Sequence, residues 1–198
     1  TSDQLAEYYG LIGHLDEQIG RILAALERSP HATNTYVVYA ADHGLAVGSH
    51  GLLGKQNLYE HSMGAPLIVR GPDAPRGGQT RAFAYLLDLF PTILGLAGAA
   101  PPQDLDGFDL RPIWRGEKAS VRDSLFLAYR DAMRAVNDGR WKLILYPPIA
   151  HAQLFDLDED PHEMRSLAGD PAQRARIAGL TARLRARQRR LGDHMAVT

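Results

Sequence analysis

Residues 35 to 41 read Thr-Tyr-Val-Val-Tyr-Ala-Ala, a stretch without charge and rich in β-branched and aromatic side chains. An apolar run without alternation is the mark of a strand covered on both faces, as in a parallel sheet flanked by helices. Asp42-His43-Gly44 ends the run, and glycines at 44, 48, 51 and 54 follow. That punctuation makes residues 44 to 57 a loop. An acid and an imidazole at the carboxyl end of a buried strand stand where open α/β sheets place ligand chemistry.

The elements on either side extend this picture. Residues 3 to 28 carry Leu5, Tyr8, Tyr9, Ile12, Leu15, Ile19, Ile22, Leu23 and Leu26 at three- and four-residue spacing, the stripe of an amphipathic helix. Residues 66 to 70 read as a second short strand, and residues 84 to 97 as an apolar helix ending at Gly98. Helix, strand, loop, strand, helix is half of a doubly wound α/β domain. After Ala99-Ala100-Pro101-Pro102 the pattern changes. Residues 124–129, 133–137, 141–146 and 152–157 predict a small antiparallel sheet, with Asn137-Asp138-Gly139 as a hairpin turn. Asp170-Pro171 predicts the cap and first turn of a final helix running to about residue 191. The expected division is 1–105, part of an α/β catalytic domain, and 106–198, a small α+β subdomain. A sheet with two visible strands in its first hundred residues has open edges, so its remaining strands are expected elsewhere. The opening Thr1-Ser2-Asp3-Gln4 lacks a Met and a secretory pattern, which fits the second part of a longer enzyme.

Composition narrows the classes. With no cysteine, this segment holds no disulfide framework, thiolate metal site or cysteine nucleophile. A formal charge of −1 gives no global basic field for nucleic acid. Arg174, Arg176, Arg183, Arg185, Arg187, Arg189 and Arg190 make the last helix basic, but without interleaved aromatics they read as a solvated face, with Leu180, Leu184 and Leu191 inward. No apolar run reaches the roughly 18 residues of a membrane helix. The compartment is left open.

Asp42 offers hard oxygen and His43 a neutral nitrogen, the donor types of a divalent-cation site. Neighbours on a regular strand point to opposite faces, so both reach one ion only where the strand breaks, as Gly44 allows. A bare Asp-His-Gly also reads as a turn cap beside a packed imidazole. Lys55, in Gly54-Lys55-Gln56, is a clamp for sulfate or phosphate oxygens if the loop returns it to the strand end, and a solvated charge if it does not. His50 and His61 are candidate proton donors near a leaving group, or ordinary loop histidines. Arg130 and Arg134 either reach an anionic substrate or pair with Asp131 and Asp138. Trp114 and Trp141 read as core or junction residues.

From Asp42 through Ser62, continuing to Ala65-Pro66-Leu67-Ile68-Val69-Arg70-Gly71-Pro72, the sequence resembles the carboxyl-terminal half of a type I sulfatase of the alkaline-phosphatase-like superfamily. Leu15-Asp16 and Gly20-Arg21 within the helix from Tyr9 to Leu23, Leu87 to Leu94, Gly139 to Ile144 and Leu154 to Glu163 continue the match in order. The resemblance implies an α/β fold: part of a doubly wound, mostly parallel sheet, then a small antiparallel sheet with a carboxyl-terminal helix. It implies hydrolysis of a small-molecule or carbohydrate sulfate ester. Asp42 and His43 match ligands of a divalent cation, usually Ca2+, with Mg2+ or Mn2+ in relatives. Lys55 matches the lysine on the sulfate, which makes it the expected catalytic and substrate-binding cation. His50, His61 and Arg130 are further expected substrate contacts. The family's nucleophile is a formylglycine made in a Cys/Ser-x-Pro-x-Arg motif, which this sequence lacks. It is expected in the amino-terminal half, so this segment alone is expected to be inactive. Phosphate or phosphonate monoester hydrolysis in the same superfamily, and a non-catalytic sulfatase-like fragment, are the rival readings.

Overall fold

The structure, a computed structural model, describes residues 2–197. In chain order the elements are α1 (Ser2–Glu27), β1 (Val37–Ala40), α2 (Glu60–Met63), β2 (Leu67–Arg70), α3 (Leu89–Leu96), α4 (Arg111–Trp114), β3 (Leu125–Tyr129), β4 (Met133–Asn137), β5 (Trp141–Tyr146), β6 (His151–Asp156) and α5 (Arg174–Leu191).

The first pairing corrects the expectation of a parallel sheet. β1 and β2 run antiparallel, with Val37 opposite Arg70 and Ala40 opposite Leu67. A parallel partner needs a crossover that carries the chain back to the starting end. The connection here holds the single turn of α2 and stays at one end, where Ala41 N–H donates to the Pro66 carbonyl at 3.3 Å. Among the described residues no parallel pairing forms.

The second sheet is the antiparallel meander β3-β4-β5-β6, in the order the sequence predicts. Its hairpin turn is built by side chains: Asn137 Oδ1 accepts the Gly139 N–H at 2.8 Å, and Asp138 Oδ1 accepts the Trp141 N–H at 2.8 Å. Gly139 takes φ 105°, open to glycine at little cost. Strand alternation divides the sheet into two buried faces. Val136, Leu143, Leu145 and Leu154 pack with Leu180 and Leu184 of α5. Met133, Ala135, Ile144 and Phe155 pack instead against Leu58, at the end of the glycine loop. Fully burying each large apolar side chain contributes about 1.5–3 kcal/mol, so the loop's far end is anchored to the meander.

Helix α5 follows a short 3-10 turn over Pro171–Gln173, which Asp170 caps by accepting the Ala172 N–H at 2.9 Å. Leu180 and Leu184 point inward as expected, but Leu191 is half exposed. The chain turns back at Gly192 (φ 67°), so the inner position belongs to Gln188. Its amide donates to Asp193 Oδ2 (2.8 Å) and the Met195 carbonyl (2.9 Å), a demand that leucine cannot meet.

The expected helix over 84–97 begins late, as a 3-10 turn at Leu86–Asp88 followed by α3. Fully buried Asp88 accepts the Tyr85 N–H (2.6 Å) and the Phe108 N–H (2.8 Å), and receives both Arg122 Nη atoms at 2.6 Å. That ion pair joins the regions before and after residues 100–112. By contrast, α1 buries none of its residues: Tyr9, Leu15 and Ile22 are 64%, 52% and 68% exposed. Phe90 and Ile93 of α3 and Ile68 of β2 are likewise exposed. No described helix is long and apolar enough to cross a membrane.

Candidate active site

Asp42 and His43 lie just past β1, where the strand opens into the loop. Gly44 N–H donates to the Ser62 carbonyl at 2.8 Å, which brings α2 against the loop's first residue. A Cβ at position 44 would stand 2.0 Å from the His61 carbonyl oxygen, so this approach requires glycine. The loop then folds on itself through Gly48 N–H to the Leu52 carbonyl (2.7 Å) and Ala46 N–H to the Gly54 carbonyl (3.1 Å). The second of these bonds returns Lys55 to the strand end.

Three predicted side chains meet there. Lys55 Nζ donates to His43 Nε2, and that same nitrogen lies 3.1 Å from Asp42 Oδ2. Asp42 Oδ1 accepts the His43 backbone N–H at 3.0 Å. His43 Nδ1 lies 2.9 Å from the Gly44 carbonyl, which only accepts, so Nδ1 carries the hydrogen and Nε2 of the neutral ring presents its lone pair. Tyr8 of α1 joins His43, Gly44, Leu45, Gly54, Lys55 and Gln56 around an open cleft of about 390 Å³.

The donor set fits a divalent cation. Carboxylate oxygen and imidazole lone pair face each other at 3.1 Å, with the Lys55 ammonium supplying positive charge at the same nitrogen. The Nδ1–H to carbonyl bond is the orienting contact that metal-bound imidazoles receive. Among the described residues no cluster of three or more His, Asp or Glu side chains forms.

The His50 and His61 side chains do not line that cleft. The His50 ring stacks on Tyr59 with centroids 4.0 Å apart, and lies 5.1 Å from the His61 ring. His50 Nε2 contacts the Glu163 carbonyl at 3.1 Å. Burial, helped by His50 and Lys142, pushes the His61 pKa down. Beneath these rings lies Lys142, fully buried on β5, with Nζ 2.8 Å from Glu60 Oε1 and 2.9 Å from Glu163 Oε1. Burial raises the Glu163 pKa against the pull of Lys142. Tyr59 and Tyr146 both donate to Gln153 Oε1 at 2.9 Å. Arg130 is exposed, its guanidinium 5.5 Å from the Tyr129 ring centroid and outside the cleft lining. Arg134 pairs with Asp193, at 2.7 and 2.9 Å, where Asp131 or Asp138 was expected. Asp138 is engaged in the hairpin turn, and the fold-back after Gly192 delivers Asp193 instead.

Residues 48–190 match the family described as N-sulphoglucosamine sulphohydrolase, C-terminal. The chain belongs to this sulfatase family. It is 32% identical to arylsulfatase K of Xenopus laevis over 182 residues, covering 84% of this chain and 34% of that protein. It is also 32% identical to the N-acetylglucosamine-6-O-sulfatase of Bacteroides thetaiotaomicron over 178 residues, covering 83% of this chain and 32% of that one. Among solved structures, a protein in complex with its substrate D-glucosamine-2-N,6-O-disulfate superposes with a TM-score of 0.85 at 28% identity, over 92% of this chain and 40% of the other. A phosphonate monoester hydrolase from Silicibacter pomeroyi gives 0.80 at 30% identity, over 91% of this chain and 40% of its own. The chain therefore spans about a third of the length of these curated relatives. It is a carboxyl-terminal portion of the sulfatase fold.

Two features of this sulfatase portion were missing from the sequence reading. Tyr8 was assigned only to an apolar stripe, whereas it lines the cleft. The Glu60–Lys142–Glu163 cluster had one sequence signal, a lysine set among apolar neighbours in Trp141-Lys142-Leu143-Ile144.

Proposed function

We propose that this chain supplies half of the active site of a sulfate monoester hydrolase. Asp42 and His43 hold a divalent cation, which the family resemblance makes Ca2+ with Mg2+ or Mn2+ as alternatives, and Lys55 holds an oxygen of the sulfate group. The observation that carries this reading is the convergence of Asp42 Oδ2 and Lys55 Nζ on His43 Nε2. When bound, a divalent cation supplies charge neutralisation on the transferred group and lowers the barrier to nucleophilic attack. His43 keeps its lone pair turned to the ion through the Nδ1–H bond to Gly44. Lys55, fixed by the Ala46–Gly54 closure, meets the anion in a cleft the loop preorganises. The nucleophile, a formylglycine, lies in the amino-terminal half, and that half packs on the exposed apolar faces of α1, α3 and β2. Residues 1–105 and 106–198 then act as the end of the catalytic domain and a supporting subdomain. The named substrate of the first structural neighbour, a sulfated glucosamine, makes a sulfated carbohydrate the favoured class.

Phosphonate or phosphate monoester hydrolysis is the second reading, favoured by the likeness to phosphonate monoester hydrolases at 30% identity. The same cation pair serves either tetrahedral anion. The test compares arylsulfate and aryl phosphonate turnover by the enzyme that carries this segment, before and after chelation, with Asp42→Asn and His43→Ala alongside. Sulfate-selective turnover that chelator abolishes is expected, with each substitution lowering cation affinity by more than the roughly 10–100-fold that loss of a group supporting a ligand costs. Phosphonate selectivity would move the assignment to the second reading, and turnover indifferent to chelator and to both substitutions would overturn the metal role. The isolated 198-residue chain is expected to show no arylsulfate hydrolysis; turnover by it would contradict the division of the site.

A further inference from the structure

The loop that delivers Lys55 is strained where it turns. Val47 and His50 take φ of 48° and 55°, left-handed values that side-chain-bearing residues adopt only when their surroundings hold them. Two of those holding contacts end on one residue. The Glu163 carbonyl receives His50 Nε2 at 3.1 Å, and the Glu163 carboxylate accepts the Glu60 backbone N–H at 2.5 Å. Glu163 is itself at φ 56°, 2% exposed, and tied by Lys142 to Glu60 a second time. His50 precedes Lys55 and Glu60 follows it, so Glu163 grips the loop on both sides of the cation. Glu60 also opens α2, whose Ser62 carbonyl anchors Gly44.

We infer that Glu163, held by Lys142, is a positioning residue that sets Lys55 and the start of the loop for anion binding. The small carboxyl-terminal sheet thereby governs the cleft without touching substrate. This inference rests on the reading of Lys55 as the anion clamp.

The experiment uses the enzyme that carries this segment, with inorganic sulfate as competitive probe and an arylsulfate as substrate. Glu163→Gly removes the carboxylate and keeps a left-handed backbone; Glu163→Gln keeps an oxygen for the Glu60 N–H. Asp193→Ala is the control, because it breaks the Arg134 pair on the same sheet but touches neither the loop nor α2. Glu163→Gly is expected to raise the sulfate inhibition constant and lower kcat/KM by about tenfold or more. Glu163→Gln restores most of the loss. Asp193→Ala lowers the melting temperature yet leaves both constants within about twofold. If Glu163→Gly lowers only the melting temperature, or if Asp193→Ala reproduces its kinetic losses, the role is structural and the inference is overturned. Lys55→Ala separates the two levels. If it leaves sulfate inhibition intact, the anion-clamp reading fails and the inference with it. If it weakens inhibition while Glu163→Gly does not, only the positioning role falls.

Discussion

Lys142→Met tests the buried charge cluster, and its cost can be worked from exposure. Lys142 Nζ bridges Glu163, whose side chain is 1% exposed, and Glu60, whose side chain is 35% exposed. Removing one partner of a buried pair costs about 3–5 kcal/mol because a charge is left stranded. Glu60 can turn to water, so the low end applies: about 3 kcal/mol, or roughly 6–12 °C in Tm for a chain of this size. The loss also depends on pH. Burial raises the Glu163 pKa above its ordinary value, so the folded chain holds a proton that the unfolded chain has already released. Stability therefore falls as pH rises through the folded pKa. Lys142 opposes that rise; without it the folded pKa climbs further, and the deficit of Lys142→Met is larger at pH 8 than at pH 5. Lys142→Met combined with Glu163→Gln removes both charges while keeping an acceptor for the Glu60 N–H, and is expected to recover more than half of the loss at pH 8. Urea unfolding of the wild type, Lys142→Met, Glu163→Gln and the double variant at both pH values reads this directly. A cost below about 1 kcal/mol for Lys142→Met, or a double variant that loses the sum of the singles, would mean that Lys142 and Glu163 are not coupled as a buried charge pair.

Gly44→Ala is expected to damage both stability and turnover, since its methyl would meet the His61 carbonyl at 2.0 Å, whereas Gly10→Ala in α1 meets nothing within 4 Å. The latter is expected to gain about 0.5–1 kcal/mol from helix propensity, a contrast that paired thermal melts will show. Hydrogen bonding to Arg134 holds the Asp193 carboxyl well below the usual carboxylate range. Its contribution is thus present above the unfolded value near pH 4 and lost as pH falls below it. Asp193→Asn is expected to flatten the acid limb of a stability–pH curve, and an unchanged limb would count against the pair.

What was legible in the sequence was local. Alternation and the Asn137-Asp138-Gly139 turn placed β4 and β5, since both signals act within a few residues. The direction of β2 was not legible, because it depends on a 41–66 connection that folds at one end rather than crossing over. Asp42, His43 and Lys55 were found as residues, yet their meeting at His43 Nε2 depends on the Ala46–Gly54 closure. His50 stands near the cleft residues in sequence, yet its partner Glu163 lies 113 residues away, beyond what local spacing reveals. Arg134 found Asp193 rather than Asp131 or Asp138 for the same reason: a long-range fold-back decided the pairing. Lys142 did leave a trace, as the one charge in an apolar strand that shares its face with Ile144.

In the proposed site Asp42 and His43 ligate a cation beside an anion-binding Lys55. Anomalous scattering from crystals of the enzyme carrying this segment, grown with Mn2+ and sulfate, tests it most directly. One Mn2+ peak bonded to an Asp42 carboxylate oxygen and His43 Nε2, with Lys55 Nζ turned from His43 to a sulfate oxygen, is the expected result. A metal bound elsewhere while Lys55 stays on His43 would contradict it.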